Sequence, residues 1–529
     1  MEDDGLRQLI QECISIGARY GNIDVNRVLR GADVTAEHVS TLANKHRCRI
    51  TKVLAEPIEN DAVTFCPDIW SDPIRQISYL CISVAFVDDQ YQYRSYDLCC
   101  SPFEEEDKSS ESIIAVLQKV LKRFGINDLS LNESSKAQNG SSSNSTDDNV
   151  KDLTNFDDSL FTIGNIDEIS FIDVSKINIK DLPDCARDVI KGLNNCKVKL
   201  NGLNKEIQSE GDISLCQSTK VRWLSIIQLL ESIDRSFKET KKSPSGKKKP
   251  FSIDRLIVKH LIRLLRPFKR VMILIQKGNE LSLYMVLICV LTLRETFSSL
   301  ASLVRFNKEN DEDSLKQDNP IDNTIFYMDS YESEGMKFFR LRLLELLETM
   351  FVLGPIDFVA AFLHPRYRYL QKCTNVQINS CKSYVRRQLK EINERELRKQ
   401  SLQRHPFEEI IEETGMVQTS QKKRKRFGEE YESGNLSDEY GDSEDEVDKY
   451  LAMHIDPKTV VDNPLIFWKE NQKNLPLLSK LARTVHSIPA STVAVEREFG
   501  SGGLVVTERR SSIHPTNVDN VLFLRSVLG

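Results

Sequence analysis

The residues best suited to metal or redox chemistry are the cysteines, of which the chain has 12. A structural zinc site needs Cys or His ligands paired at short spacing. None of the cysteines forms a Cys-x-x-Cys pair, and His46-Arg47-Cys48 does not supply such ligands either. Several cysteines, such as Cys81 and Cys289, lie inside apolar segments. We therefore predict reduced core thiols and no zinc.

Residues 402–450 contain a block of basic residues followed by a block of acidic residues. The basic run consists of Lys422, Lys423, Arg424, Lys425 and Arg426, and ten acidic residues follow between Glu429 and Asp448. Such blocks are usually solvated, which predicts a disordered linker. A basic run of this length is typical of a nuclear-import signal, so we expect localisation in the nucleus and an import receptor as a partner.

Bulk composition excludes several classes of protein. The AVILMFWYC set makes up 40% of the 529 residues and charged residues 28%, so most of the chain can bury a core. The net charge of −6 excludes a histone-like polycation. The longest apolar stretch, residues 281–293, is too short to cross a bilayer, so we predict a buried helix there. The start of the chain has no signal-peptide pattern. We expect a soluble intracellular protein with no membrane partner.

The predicted helices and strands must position any functional site. Their type changes along the chain. Residues 1–60 have helical apolar spacing, followed by β-type runs at 62–68, 76–87 and 91–98 and a helical pattern at 110–125. This order predicts a mixed α/β domain over residues 61–175. A Ser/Asn/Asp-rich stretch at 130–158 predicts a disordered insertion. Residues 176–401 are predicted to be all-helical.

The segment 451–529 carries more apolar residues than so small a unit needs. We expect the surplus to be buried against the α/β domain or against a second copy of the chain. The sequence therefore predicts a homo-oligomer, a dimer or larger.

Ordered motifs in the same segment carry a family resemblance. They read Asn463-Pro-Leu-Ile-Phe-Trp468, then Leu475 to Arg483, Ile488-Pro-Ala-Ser491, Val495-Glu-Arg-Glu-Phe499 and Arg510-Ser-Ser-Ile-His-Pro515. This series resembles the C-terminal dimerisation region of hAT-superfamily transposases. The resemblance implies that Trp468, Leu477, Leu478, Leu481, Phe499 and Leu522 serve dimerisation.

Three further segments resemble elements of the same family in the same order. These are Cys66-Pro-Asp-Ile-Trp-Ser-Asp72, Lys220-Val-Arg-Trp-Leu-Ser225 and Phe362-Leu-His-Pro-Arg366. The resemblance implies an RNase H-like mixed sheet, interrupted by a large helical insertion and completed by the C-terminal region. It also implies that Trp223 stacks on a flipped base and that Arg222 contacts phosphate. The alternative is a core tryptophan at the start of a helix.

The family's catalytic centre holds two divalent metals on an Asp-Asp-Glu triad. The resemblance assigns Asp68 as the first carboxylate and Glu496 as the last, with Mg²⁺ or Mn²⁺ as the metal if the site is competent. Ile163 stands where the middle Asp is expected. Asp167 and Asp173 lie nearby in sequence, but a shift of several residues misplaces a metal ligand. We therefore predict loss of cleavage and no cofactor.

Together these features predict a domesticated, transposase-derived nuclear protein without a BED zinc finger. It is expected to self-associate through its C-terminal region and to bind DNA or chromatin without cleaving it. One alternative is an active hAT transposase. Another is a protein-interaction scaffold with no nucleic-acid contact.

Overall fold

A computed structural model describes most of the helical and sheet segments of the chain. The residues described are 4–21, 31–72, 77–103, 109–126, 182–199, 224–235, 237, 254–276, 280–310, 332–403, 445–456, 462–492, 505 and 513–528. They divide into two compact units. Unit 1 comprises Met1–Asp89, Tyr93–Thr146 and Thr492–Gly529, and unit 2 comprises Gln90–Gln92 and Asp147–Ser491. No helix in these ranges is both long enough and apolar enough to cross a membrane.

Unit 1 is built on a small antiparallel sheet. Helices α1 (Asp4–Tyr20) and α2 (Ala32–Glu59) precede the strands β1 (Val63–Ser71), β2 (Ser78–Val87) and β3 (Tyr93–Pro102). Helix α3 (Ser110–Lys122) follows, and α15 (Pro515–Leu528) is the last helix of the unit. The strand order is β1-β2-β3, with Asp68 opposite Cys81 and Cys81 opposite Cys100. The predicted three strands followed by a helix are confirmed.

Both faces of the sheet are covered, which explains why β2 is apolar along almost its whole length. On one face, Leu80, Ile82 and Phe86 pack with Leu54 of α2 and Leu121 of α3. On the other face, a second cluster joins side chains of the sheet to the last helix; its buried members are Tyr79, Cys81, Cys100, Val518 and Leu522.

The start and the end of β3 both differ from the boundaries predicted for the third strand. Strand β3 begins at Tyr93 rather than Tyr91, because Tyr91 lies in the turn with φ of 58°. The strand then continues past Leu98 through Cys99 and Cys100, whose side chains are buried. Gly125 has φ of 74° and ends the segment after α3, as its position predicts.

Unit 2 is all-helical in the ranges described. Its helices are α4 (Asp184–Lys199), α5 (Leu224–Arg235), α6 (Arg255–Ile275), α7 (Leu283–Ser298), α8 (Leu300–Glu309), α9 (Glu334–Met350), α10 (Pro355–Phe362), α11 (Asn375–Gln403), α12 (Glu446–Ala452), α13 (Pro464–Asn471) and α14 (Pro476–His486). The apolar stretch predicted as a buried helix is α7, with Leu287, Val290 and Leu293 buried. The coarse prediction of a chain with a sheet and many helices is thus confirmed, and the RNase H-like assignment stays a prediction.

The charged stretch at 307–323 is predicted as a loop and residues 402–450 as a linker, and parts of both lie in helices. Helix α8 continues to Glu309 because the buried Asn307 amide donates to the carbonyls of Leu303 and Arg263. The linker predicted at 402–450 overlaps α11, which ends at Gln403, and α12, which begins at Glu446. The insertion predicted at 130–158 lies outside the described residues. The predicted domain boundaries stay predictions, and the structure assigns 451–491 to unit 2 and 492–529 to unit 1.

Candidate functional site

Asp68, the first carboxylate implied by the resemblance, lies on the edge strand β1. It is half-buried, and its Oδ1 accepts a hydrogen bond from the backbone N–H of Ile69 at 2.8 Å. Trp70 lies two residues on and stacks on Tyr79, with ring centroids 5.3 Å apart. Alternation along the strand places Asp68 and Trp70 on the same face. Trp70 therefore supports the strand that carries Asp68.

A divalent metal needs more ligands than Asp68 supplies. Within the ranges described, no group of three or more His, Cys, Asp or Glu side chains is placed to hold a metal ion. Glu496, Asp167, Arg222, Trp223 and the run 422–426 lie outside those ranges, so their predicted roles stay predictions. Asp68 is the one predicted metal ligand within the described ranges, and a single carboxylate whose Oδ1 is already bonded to a backbone amide does not by itself fit a two-metal centre.

The last helix is attached to the sheet through a carboxylate that sequence reasoning missed. Asp519 Oδ1 accepts a hydrogen bond from the backbone N–H of Cys100 at 2.7 Å, and Oδ2 accepts one from Arg47 Nη2 at 3.0 Å. Arg47 also donates to Asn520 Oδ1 at 2.8 Å, and its guanidinium lies 4.8 Å from the centroid of the Phe523 ring. Burial raises the pKa of Asp519, and the Arg47 charge opposes that shift.

One feature of the sequence points to this attachment. Asp519 and Asn520 are adjacent polar residues within an otherwise apolar run. A buried polar pair in an apolar helix face requires hydrogen-bond partners. Residue spacing alone does not show that Arg47 and the Cys100 amide supply them.

In unit 2, two segments that resemble the same family come together. Trp468 of the Asn463–Trp468 motif is fully buried, and its Nε1 donates to the carbonyl of Leu363 at 2.7 Å. Leu363 belongs to the Phe362–Arg366 motif, and the hydroxyl of Tyr450 donates to the carbonyl of Phe362 at 3.1 Å. The rings of Tyr450 and Trp468 lie 5.0 Å apart. The C-terminal helices α12 and α13 are therefore bonded to the end of α10.

Residues of the loop after α10 also form hydrogen bonds with the chain on both sides of residues 457–461. Arg368 Nη2 donates to the carbonyl of Met453 at 2.7 Å. Arg366 Nη1 donates to Asp462 Oδ1 at 2.9 Å, and the Tyr284 hydroxyl donates to the carbonyl of Asp462 at 3.2 Å. The Phe362–Arg366 motif and the two residues that follow it thus position the entry into α13.

Glu446 is a further residue whose role the sequence prediction missed. It was counted within a solvated acidic run, but it is half-buried at the start of α12. Its two carboxylate oxygens accept hydrogen bonds from the backbone N–H groups of Leu477 and Leu478, at 3.1 and 2.9 Å. A carboxylate at a helix N-terminus satisfies free amides and complements the helix dipole. Glu446 therefore caps α14.

Arg386 of α11 pairs with Asp445 and Asp448, which flank Glu446. The end of the acidic run is consequently part of the folded unit, whereas its composition predicted a solvated segment.

Two buried histidines lie beside this region. His486 of α14 and His364 are both almost inaccessible to solvent, and the Tyr284 ring lies 4.5 Å from the His364 ring and 6.4 Å from the His486 ring. Burial lowers the pKa of His486 to about 3, and the neighbouring His364 adds to the shift. Burial likewise lowers the pKa of His364 to about 4. Both side chains are neutral in the folded unit at pH 7.

The residues implied in dimerisation differ in how far they are buried. Trp468, Leu478, Leu481 and Leu522 are buried within the unit to which each belongs. Leu477 is half-buried, and Phe499 lies outside the described residues. The large apolar side chains exposed on α13 and in the middle of α15 are instead Ile466, at 41% exposure, and Val521, at 37%. The predicted dimerisation roles stay predictions.

Comparison with known families settles the C-terminal resemblance. Residues 446–528 match the hAT family C-terminal dimerisation region. The resemblance predicted from the motifs is confirmed for this region. The hAT region, as residues 446–528 are called below, includes α12, α13 and α14 in unit 2 and α15 in unit 1.

Two curated proteins are similar over short stretches. One is tpeD of Talaromyces stipitatus, named as a putative transcriptional regulator, with 36% identity over 78 residues, or 15% of this chain and 9% of tpeD. The other is the zinc finger BED domain-containing protein DAYSLEEPER of Arabidopsis thaliana, with 32% identity over 83 residues, or 16% of this chain and 12% of that protein. The chain thus matches about a tenth of the length of each relative.

Proposed function

We propose that this chain is a transposase-derived nuclear protein that self-associates through its hAT region and binds DNA or chromatin without cleaving it. The observation that carries the proposal is the match of residues 446–528 to the hAT dimerisation region. The names of the two relatives, a transcriptional regulator and a BED zinc-finger protein, support a role on DNA. The RNase H-like architecture belongs to the proposal, supported by the Asp68 strand and its Trp70 neighbour.

The burial pattern refines which side chains would meet a second copy. Trp468, Leu478 and Leu522 are covered by their own units, so they would hold the helices in place rather than contact a partner. In the described part of the hAT region, Ile466 of α13 and Val521 of α15 are exposed apolar side chains away from the end of the chain, and they would make direct contact. A central apolar side chain in such an interface typically contributes a large share of the binding energy.

Analytical ultracentrifugation of the full chain tests self-association. We expect dimers or larger species at micromolar concentration. Ile466→Asp and Val521→Asp should each weaken association about tenfold or more, because each places a charge in an apolar contact. Lys469→Gln and Arg525→Gln are the matched controls, since each makes the same change in net charge at an exposed position of the same helix. A wild-type chain that stays monomeric at micromolar concentration overturns the proposal.

DNA binding and cleavage are tested separately. We expect binding that weakens steeply as salt rises, because Lys and Arg contacts to phosphate release counterions. We expect no cleavage with Mg²⁺ or Mn²⁺, since Ile163 stands where the family has its middle Asp. Metal-dependent cleavage by the wild type that Asp68→Ala abolishes would establish the active transposase instead. Absence of salt-sensitive binding would favour the scaffold.

Nuclear localisation is attributed to the basic run 422–426. A fluorescent fusion should accumulate in the nucleus, and replacing all five residues with alanine should disperse it. Replacing Lys422, Lys423 and Lys425 with arginine keeps the charge and should leave localisation unchanged. Nuclear accumulation of the alanine variant would assign import to another segment.

A further inference from the structure

Helix α1 presents an apolar face that nothing in the described chain covers. Every side chain described in this helix, from Gln11 to Tyr20, is exposed. Ile16 and Tyr20, which share one face, are 46% and 68% exposed. In proteins most helix stability comes from packing an apolar face, so a 17-residue helix with such a face is expected to have a partner.

The spacing of the apolar residues indicates what kind of partner fits. Leu6, Leu9, Cys13, Ile16 and Tyr20 follow one another at intervals of three, four, three and four residues. These intervals are the a and d positions of a heptad repeat, which pack against another helix with the same pattern. The repeat covers only about two heptads, so a second copy of α1 would make a small contact.

Charge complementarity selects one arrangement of two such helices. With Cys13 at a, both Glu12 and Arg19 occupy g positions. In an antiparallel pair, g positions face g positions. When Cys13 lies opposite Ile16 of a second copy, Glu12 lies near Arg19 of that copy, and the twofold axis repeats the pair. The contact therefore contains two ion pairs.

Other arrangements lose these ion pairs. In a parallel pair, g positions face e positions, which here are Ile10 and Gly17. Shifting the antiparallel pair by one heptad sets Glu12 against Glu12, or Arg19 against Arg19, which is repulsive.

We propose that α1 is a second self-association element, which pairs antiparallel with α1 of a second copy in the register that sets Cys13 opposite Ile16. This contact lies outside the hAT region and does not depend on it. The pairing gives the chain two separate surfaces for copies of itself, so that larger assemblies than a dimer can form.

Site-directed disulfide formation in the full chain tests the register. On a Cys48→Ser background, which removes the other cysteine described as exposed, Ile16→Cys should link the introduced thiol of one chain to Cys13 of a second chain after mild oxidation. Ser15→Cys, on another face of the helix, is the matched control and should not crosslink. Peptide mapping identifies the linked residues. A link between the two copies of Cys13 as the main product would show parallel pairing, and no crosslink would exclude pairing. Either outcome overturns the proposal.

A charge swap gives an independent readout in the same assay. Glu12→Arg turns both ion pairs into repulsions and should lower the crosslinking yield of the Ile16→Cys chain about fivefold or more. Adding Arg19→Glu should restore the yield, because the pairs form again with reversed polarity. A double variant as weak as the single one would exclude the antiparallel register. Ile466→Asp in the hAT region should leave the crosslink unchanged, which separates failure here from failure of the proposed function.

Discussion

Arg47 and Asp519 lie 472 residues apart in sequence and form an ion pair at 3.0 Å, with side chains only 13% and 8% exposed. The pair joins α2 to the last helix, and the second carboxylate oxygen holds the backbone of β3 through Cys100. One carboxylate thus connects three elements of unit 1. Removing one partner of a buried pair leaves the other uncompensated, which is costly.

Asp519→Ala should therefore destabilise unit 1 by about 2 to 4 kcal/mol, because Arg47 loses its partner of opposite charge and the Cys100 amide loses its acceptor. Hydrogen–deuterium exchange of the β3 peptides measures the loss. Asp88→Ala is the control, since the Arg94–Asp88 pair is more exposed, and should cost about 1 kcal/mol or less. Equal protection of β3 in wild type and Asp519→Ala would contradict the assignment.

The two buried histidines predict that unit 2 loses stability in acid. In the folded unit their pKa values are lowered to about 3 for His486 and about 4 for His364, against about 6.5 in the unfolded chain. The unfolded chain therefore binds more protons below pH 6.5, so stability falls as the pH drops from there towards 4. At pH 5 the loss is about 2 kcal/mol for each histidine.

His486→Met replaces the imidazole with a side chain of similar size that cannot be protonated, and it should flatten the acid limb of the stability curve between pH 6.5 and 4. Urea denaturation at a series of pH values measures the slope. His514→Gln, at an exposed position, should leave the slope unchanged. A His486→Met curve that parallels the wild type would mean that His486 does not resist protonation in the folded unit.

Gly335 allows close packing of α9 against α4. A Cβ at this position would lie 2.5 Å from the carbonyl oxygen of Cys185 and 3.0 Å from Val189 Cγ2. Gly335→Ala should destabilise unit 2 by about 1 to 3 kcal/mol, because the clash involves backbone that can move only with its helix. Thermal unfolding checks this. Gly354→Ala, whose nearest neighbour would lie at 3.9 Å, should change the unfolding midpoint much less.

A substitution at Trp468 distinguishes two roles for this side chain, packing within unit 2 and contact with a second copy. Trp468→Phe removes the donor to the buried Leu363 carbonyl and should cost about 1 to 3 kcal/mol in the stability of unit 2. Tyr369→Phe, which removes the exposed hydroxyl that donates to the Leu451 carbonyl and accepts from Arg368, is the control and should cost about 1 kcal/mol or less. Weaker self-association with unchanged stability would instead place Trp468 directly in an interface.

Local sequence patterns predicted the local structure of this protein well. The β-branched and aromatic runs predicted β1, β2 and β3, and the apolar stretch at 281–293 predicted the buried helix α7. Asp68 was predicted on a strand, and it lies on β1. These predictions succeeded because periodicity reports burial over a few residues.

The tertiary pairings could not be read from spacing. Nothing near Arg47 in sequence points to Asp519, and composition alone placed Glu446 among solvated acids although it caps α14. The motif residue Trp468 was assigned to dimerisation, yet its own unit buries it completely. Each difference arises because the burial of a residue depends on which segment, distant in sequence, packs against it in the fold.

The attachment of α15 to β3 also dictates an order of events during synthesis. The backbone N–H of Cys100 cannot form its hydrogen bond until Asp519, which is 419 residues further along the chain, has been synthesised. At the usual pace of translation that delay lasts about 20 to 80 s, during which the sheet has left the ribosome with one apolar face uncovered. A premature stop codon that removes only the final helix would therefore leave the sheet of unit 1 incomplete, and such an allele would behave as a folding defect of strands near the start of the chain.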